Sequence, residues 1–220
     1  MGRIVEQLRE QRASLDLGDD GSCAVPGVDR RAGLAAFFRL DDHLLDQVDL
    51  GVDRFGRIDT LVNNAGVFVA KPFTDYTDED YALLTGVNLA GFFHLTRRVV
   101  PHMLANGGGH IVTITTSFVD QPNSNVPSVL ASLTKGGLSS ATKSLAIEYA
   151  SRGVRVNAIA PGIIKTPMHP VEYHETFAAL HPMGRMGETS DIVDAVVYLE
   201  SAPFVTGEIL HVDGGQNAGN

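Results

Sequence analysis

The chain has 220 residues, a formal net charge of −9 and a composition that is 44% hydrophobic and 20% charged. The length suits one domain, the composition excludes a mainly disordered chain, and the acidic balance excludes surfaces for nucleic acid or anionic membranes, which need clustered Lys and Arg. Cys23 is the only cysteine and no apolar run reaches the roughly 18 residues of a membrane span, so we expect a cytoplasmic protein without internal disulfides.

Short apolar runs of strand type alternate along the chain with longer runs of helical periodicity. The pattern predicts strands at residues 13–18, 34–41, 57–63, 110–115, 153–162 and 208–215. It predicts helices at residues 3–11, 42–55, 78–105, 128–150 and 190–201. This alternation is typical of the α/β class, a doubly wound parallel sheet with helices on both faces, here as a single domain over residues 1–220.

In sheets of this class, ligands bind beyond the carboxyl ends of the strands. Polar and small residues follow three of the predicted strands. They are the turn Asn63-Asn64-Ala65-Gly66, the hydroxyls of Thr116 and Ser117, and the rigid turn Pro161-Gly162, which leads into IIKTPM. Each also has an ordinary structural use, because small and amide residues form turns and Ser or Thr caps helices.

Two further polar residues lie inside predicted helices. Asn88, in TGVNLAGFF, is a poor helix former, so it either bonds backbone groups or serves a site. Lys135 lies one turn into the helix that follows residue 127, where a solvated surface lysine is the simple alternative.

Six short motifs, taken in order, resemble those of the short-chain dehydrogenase/reductase family: NNAG, VNLAGFFHLTR, IVTITTS, a helical lysine, NAIAPGIIKTPM and VTGEILHVDGG. The resemblance runs from about residue 34 to the C-terminal end, and more loosely back to residue 2. It implies a Rossmann-like fold, an NAD or NADP cofactor, and hydride transfer between a small-molecule alcohol and a carbonyl. It also implies a homo-oligomer, either a dimer or a tetramer.

The resemblance further implies roles for individual residues. Among the catalytic residues, Asn88 would hold a water of a proton relay, Thr116 (with Ser117 as the alternative) would polarise the substrate carbonyl, and Lys135 would contact the nicotinamide ribose. A threonine hydroxyl can donate the same hydrogen bond as the serine of the family pattern. The cofactor-binding residues would be Asp19, Asp41, Asn63, Ala65, Gly66, Lys135, Pro161, Gly162, Ile163 and Thr166.

Ala131 departs from the family pattern, which places a tyrosine four residues before the lysine as general acid/base. Ser132 is adjacent, but it points about 100° away around the helix. Losing a general acid/base slows a reaction by about 10²- to 10⁴-fold, unless another group supplies the proton. One hypothesis is that a residue of the substrate lid, about 163–188, does so: Tyr173, His169, His174 or His181. These histidines lack a recognisable metal-ligand spacing, so no metal site is predicted.

The start of the chain also departs from the family pattern, because the first strand and the glycine-rich loop TGxxxGxG are missing. Gly2 would be the last glycine of that loop, and Asp19, 17 residues later, would lie near the offset of the acid that binds the adenosine ribose, favouring NAD over NADP. A solvated turn is the alternative for Asp19. We expect coding sequence upstream of Met1 to supply the missing segment; a natural short form, or another segment in its place, are the alternatives.

The leading functional prediction is an NAD(P)-dependent oxidoreductase of the short-chain type. The missing tyrosine and loop keep open a second prediction, a non-catalytic partner subunit or cofactor-binding scaffold of the same family. A third is a ligand-binding module without nicotinamide.

Overall fold

The computed structural model describes residues 40–219, with side chains described from residue 48. Within this part of the chain the helices are α1 (Leu40–Phe55), α2 (Asp78–Leu84), α3 (Gly91–Ala105), α4 (Val129–Tyr149), α5 (His174–Ala178) and α6 (Thr189–Ser201). A π-helical turn, Thr85–Ala90, joins α2 to α3. The strands are β1 (Thr60–Asn63), β2 (Gly109–Ile114), β3 (Val154–Pro161) and β4 (Ile209–Val212). No helix in residues 40–219 is long and apolar enough to cross a bilayer.

The four strands of the described residues form one parallel sheet in the order β1-β2-β3-β4. Asn63 pairs with Thr113, Ile114 with Ile159, and Pro161 with Val212, so the strands end close to the same level. The segments after the strands therefore meet at one edge of the sheet. The α/β architecture predicted from the sequence is confirmed.

Helices cover both faces of the sheet. On one face, Val99 and Met103 of α3 and Ala146 of α4 pack against Ile111 and Val156. On the other face, Ala195 and Leu199 of α6 pack against Val112 and Ile159. Because consecutive side chains of a strand point to opposite faces, Ile111 and Val112 enter different cores. The inner residues of β2 are accordingly buried on both sides, as its continuous β-branched run predicts.

The strand predicted at residues 34–41 is wrong at its end, because α1 already begins at Leu40. Asp41 therefore lies in α1 rather than at the end of a strand. The helix predicted at residues 3–11, the strand at 13–18 and Asp19 lie outside the described residues.

A buried polar network joins β2, β3 and α6 at the amino-terminal edge of the sheet. The imidazole of His110 is 2% exposed, with Nδ1 2.7 Å from Glu200 Oε2 and Nε2 3.0 Å from Asn157 Nδ2. Asn157 Oδ1 accepts the N–H of Glu208 at 3.0 Å, which orients the Asn157 amide so that its NH₂ donates to His110. His110 is therefore neutral, and it carries its proton on Nδ1.

The burial of His110 lowers the pKa of its imidazole below the ordinary value of 6.5; Arg155 acts in the same direction and Glu200 opposes it. Below about pH 6.5 this histidine binds a proton in the unfolded chain but stays neutral in the folded chain until its lowered pKa is reached. The free energy of unfolding therefore falls as the pH falls through this range.

We expect His110→Gln to flatten this pH dependence between pH 7 and pH 5, since it removes a group worth up to about 1.4 kcal/mol per pH unit. Urea unfolding at several pH values measures it, with His102→Gln as control. Parallel pH profiles for the wild type and His110→Gln would contradict the assignment.

Candidate active site

Lys135 of α4 reaches across to the edge of the sheet where β1 and β2 end. Its Nζ donates a hydrogen bond to the carbonyl oxygen of Ile114, the last residue of β2, at 2.8 Å, and the residue is 7% exposed. A Cβ on Gly66 would lie 2.6 Å from this Nζ, so a side chain at this position in the turn after β1 would displace the head of the lysine. Lys135 Nζ therefore lies where the segments after two neighbouring strands meet.

The ammonium group of Lys135 is held in a poorly solvated environment. Burial lowers the pKa of Lys135 to about 8, because removal from water disfavours the charged form. No carboxylate within the described residues forms an ion pair with it to offset this effect. The side chain can therefore change its protonation state near neutral pH.

Asn88 fixes the position of the turn after β1. It lies in the π-helical turn, is 1% exposed, and its Oδ1 accepts the N–H of Val67 at 2.9 Å. Its Nδ2 donates to Val67 O and to the hydroxyl of Thr134, each at 3.1 Å. The side chain thus joins the residue after Gly66 to the residue before Lys135. These three bonds engage the side-chain amide of Asn88. Its role of holding a water in a proton relay stays a prediction.

The two hydroxyls after β2 have different environments. Ser117 is fully buried, and its Oγ donates to Gln216 Oε1 at 3.0 Å, so its proton is committed to the segment after β4. Thr116 Oγ1 accepts the N–H of Phe118 at 3.3 Å, and its own proton has no acceptor among residues 48–219. Thr116, rather than Ser117, is therefore the hydroxyl able to donate to a ligand.

The other predicted cofactor residues of the segments after β1 and β3 lie at the same edge of the sheet. Asn63 is buried and its Nδ2 donates to the hydroxyl of Thr96 at 3.2 Å, which ties β1 to α3. Ala65 is exposed and Gly66 is half-buried. The side chains of Asp19 and Asp41 are outside the described part of the chain. The residues after β3 are Pro161 and Gly162, both half-buried, the buried Ile163, and Thr166, whose Oγ1 lies 3.4 Å from His169 Nδ1.

His181 holds the segment after β3 instead of facing the site. It is 3% exposed, its Nε2 accepts the N–H of Ile163 at 2.9 Å, and its Nδ1 donates to Phe177 O at 2.9 Å. Both ring nitrogens are used, so His181 has no proton to offer a substrate. His169 and His174 likewise bond backbone carbonyls, of Ile164 at 2.8 Å and of His169 at 2.9 Å. Tyr173 is 53% exposed, with its ring 6.0 Å from that of Phe177.

An apolar cluster lies between the segments that follow β1, β2 and β3. Its buried members are Phe118, Ile163 and Met186, and the residues packed against them are Phe68, Val126, Phe177, Ala178 and Leu180. The cluster includes the neighbour of Ser117 and part of the predicted lid. A ligand that reaches Thr116 would therefore meet apolar side chains.

Ala131 belongs to a second apolar cluster. It is fully buried together with Leu84 and Leu130, and the residues packed against them are Val67, Phe68, Val69 and Tyr76. The position where the family pattern has tyrosine is thus occupied by tight apolar packing. Thr134, which the sequence did not single out, bonds Asn88 from 46 residues away, and no local pattern announces such a contact.

Comparison with known proteins places these features in a family. The family model described as enoyl-(acyl carrier protein) reductase matches residues 38–217. The 3-oxoacyl-(acyl-carrier-protein) reductase FabG of Thermotoga maritima is 36% identical over 179 residues, which are 79% of this chain and 72% of that protein. Cis-4-hydroxycyclohexanecarboxylate dehydrogenase of Sinomonas cyclohexanicum is 36% identical over 233 aligned positions, covering 96% of this chain and 89% of that one.

Solved structures agree with the sequence matches. The structure of ElxO with NADP bound has a TM-score of 0.75 and 30% identity, covering 81% of this chain and 75% of that one. Several other relatives are matched over only 60 to 63% of their length, so the chain spans less than two thirds of those proteins.

The packing around Ala131 predicts that a phenol does not fit there without rearrangement. We expect Ala131→Tyr to lower the free energy of unfolding by about 1–3 kcal/mol, as overpacking of a core does. Leu133→Tyr is the matched control, because Leu133 is 62% exposed on the same helix and should change stability by less than about 0.5 kcal/mol. Chemical denaturation of both variants tests this; equal stability of Ala131→Tyr and the wild type would show that the space for a tyrosine exists.

Proposed function

Because the chain belongs to the short-chain dehydrogenase/reductase family of NAD(P)-dependent oxidoreductases, we propose that it transfers a hydride between NAD or NADP and a small-molecule alcohol or carbonyl. The observation that carries this proposal is the arrangement of Lys135, Gly66 and Thr116 at one edge of the sheet. A scaffold that binds no ligand at this edge would need neither a buried lysine without an ion-pair partner in the described part of the chain nor a hydroxyl with a free proton two residues beyond Ile114, the acceptor of that lysine.

The residues at this edge fit a dinucleotide. Gly66 and the exposed Ala65 leave the turn after β1 open to close approach, and Lys135 uses one of its three N–H bonds on Ile114. The remaining N–H bonds suit the hydroxyls of a ribose. Bound NAD or NADP would supply or accept the hydride. The residues that would hold it are Asn63, Ala65, Gly66, Lys135, Pro161, Gly162, Ile163 and Thr166, with Asp19 and Asp41 proposed for the adenosine part.

Thr116 would orient the substrate by donating its free proton to the carbonyl oxygen. A hydrogen bond aimed at the oxygen where negative charge develops lowers the barrier to hydride addition. Asn88 acts as a positioning residue, since it holds Val67 and Thr134 on either side of the lysine.

We propose an apolar, uncharged substrate beneath a lid formed by residues 163–188. Phe118, two residues after Thr116, packs with Ile163 and Met186, and Phe177 and Leu180 of the lid pack against these three. Burying a charged group in such a lining costs several kcal/mol unless a counter-ion is present.

The charges around the site support this choice of substrate. The described segments that follow the strands contain three Lys or Arg residues, and all are ion-paired: Lys71 with Asp80 at 2.6 Å, Lys165 with Glu188 at 2.5 Å, and Arg185 with Asp191 at 2.8 Å. No unpaired cation is thus available in these segments for a carboxylate, a phosphate or an acidic carrier protein. Lys135 of α4, which has no ion-pair partner among the described residues, is assigned in this proposal to the ribose of the cofactor.

We further propose a cytoplasmic homo-oligomer, a dimer or a tetramer. Large apolar side chains are exposed, among them Ile147 on α4 at 84% and Phe204, in the turn after α6, at 102%. Burial of such groups between copies would remove apolar surface from water. A monomeric mass in light scattering would contradict this.

Cofactor binding tests the proposal directly. We expect saturable quenching or enhancement of NADH or NADPH fluorescence on titration into the chain, and at least a tenfold loss of affinity in Gly66→Ala, whose Cβ would displace Lys135 Nζ. Gly51→Ala is the matched control, because no atom lies within 4 Å of a Cβ there. A folded chain that binds neither dinucleotide would overturn the proposed function.

A pair of substrates that differ in charge tests the substrate class. We expect kcat/KM for 4-methylcyclohexanol to exceed that for 4-hydroxycyclohexanecarboxylate by at least about tenfold, equivalent to about 1.4 kcal/mol of desolvation. Cofactor reduction followed by absorbance measures both. Preference for the carboxylate would show that a cation reaches the substrate.

A further inference from the structure

We propose that Lys135 is itself the general acid/base of the reaction, in the role that the family pattern gives to a tyrosine. The inference rests on the proposed oxidoreductase function and extends it to the source of the proton. Its basis is the placement of the lysine head at the strand ends and the commitment of the other proton-bearing groups around it.

Five other proton-bearing groups in the described site have their protons engaged, whereas Tyr173 of the lid is 53% exposed and its hydroxyl bonds no described residue. Ser117 donates to Gln216, Thr134 to the carbonyls of Leu130 and Ala131, and Ser132 to Phe118 O at 3.4 Å. Tyr76 donates to Val69 O at 2.8 Å, and His181 uses both of its nitrogens. Thr116 has a free proton, but an aliphatic hydroxyl is too weak an acid to give it up and is suited to hydrogen bonding alone.

Lys135 has the position, the free N–H bonds and the pKa that a general acid/base needs. Its Nζ lies 2.8 Å from the carbonyl oxygen of Ile114, two residues before Thr116, so it lies at the end of the strand that leads to the proposed carbonyl-binding hydroxyl. Two of its N–H bonds have no acceptor among the described residues. Ala131, one helical turn earlier, is buried in an apolar cluster and has no side-chain group that could transfer a proton in place of the lysine. Burial brings the pKa of Lys135 to about 8, so both protonation states are populated near neutral pH.

The proton and electron changes balance with the hydride of the proposed reaction. During reduction the carbonyl carbon receives the hydride with its electron pair, the π pair moves to oxygen, and that oxygen takes a proton from the ammonium of Lys135, which becomes a neutral amine. Solvent then restores the proton. During oxidation the neutral amine takes the hydroxyl proton as the hydride leaves.

The sign of the pH dependence follows from these states. Alcohol oxidation needs the neutral amine, so its rate should rise with pH and level off above about 8, whereas carbonyl reduction needs the ammonium and should decline over the same range. A lysine that only binds cofactor would be needed as the cation in both directions.

The first experiment measures the titration midpoint of Lys135 without any catalytic turnover. Competitive acetylation of the wild type from pH 6 to pH 10, quantified by mass spectrometry, should give Lys135 a midpoint near 8, below the midpoint of the same lysine in the urea-unfolded chain. Equal midpoints of Lys135 in the folded and the unfolded chain would overturn the proposal.

The second experiment changes the acidity of the amine. In a Cys23→Ser background, Lys135→Cys alkylated with 2-bromoethylamine carries a thioether in place of one CH₂, and electron withdrawal by sulfur lowers its pKa. We expect the midpoint of the pH–rate profile to move to lower pH by the same amount as the acetylation midpoint. Lys135→Met, assayed at saturating cofactor, should lose about 10²- to 10⁴-fold in kcat.

The outcomes separate this inference from the proposed function. A wild type that binds cofactor but turns over no alcohol or carbonyl overturns both. Turnover whose midpoint stays unchanged in the thioether variant, or that survives in Lys135→Met, overturns the role of Lys135 alone. If Tyr173→Phe, with Lys135 intact, loses the pH dependence of the rate, the proton comes from the lid and the role of Lys135 is overturned.

Discussion

A lysine ammonium withdrawn from water is the constraint on which the site depends. Lys135 Nζ has one backbone acceptor, Ile114 O at 2.8 Å, and no described carboxylate to pair with. Such a group is tolerated only when the surrounding structure holds it in place. Here β1 and β2 end at the same level, and Gly66 leaves the space that any side chain would occupy. The fold thereby keeps a titratable amine at the edge where parallel sheets bind their ligands.

Buried polar side chains hold the loops around this lysine. Asn88 bonds both backbone groups of Val67, and His181 accepts from the N–H of Ile163 while donating to Phe177 O. In each case a side chain satisfies backbone groups that no strand partner reaches, which a buried loop requires. The segments after β1 and β3 are thus attached to α4 and to the lid, and the apolar cluster around Phe118 fills the space between them.

Much of the fold could be predicted from local pattern. The β-branched runs of β2 and β3 and the periodicity of α4 and α6 place these elements within a few residues of their observed bounds. The strand predicted at residues 34–41 is wrong at residues 40–41, which lie in α1. Short apolar runs suit strand and helix alike, so periodicity alone does not separate them. The lid histidines were beyond prediction as well, since their burial depends on how the lid packs.

The sequence by itself determined the family, the order of the strand-end motifs, and the presence of Lys135 with Ala131 in place of a tyrosine. Only the tertiary structure decided which hydroxyl after β2 keeps a free proton, that Ala131 is enclosed by Leu84 and Leu130, and that burial shifts the acidity of the lysine. The physical reason is distance along the chain. Lys135 donates to the carbonyl of Ile114, 21 residues away in the sequence, and Ser117 donates to Gln216, 99 residues away. Burial and hydrogen-bond commitment arise from such contacts, which no local pattern of residues records.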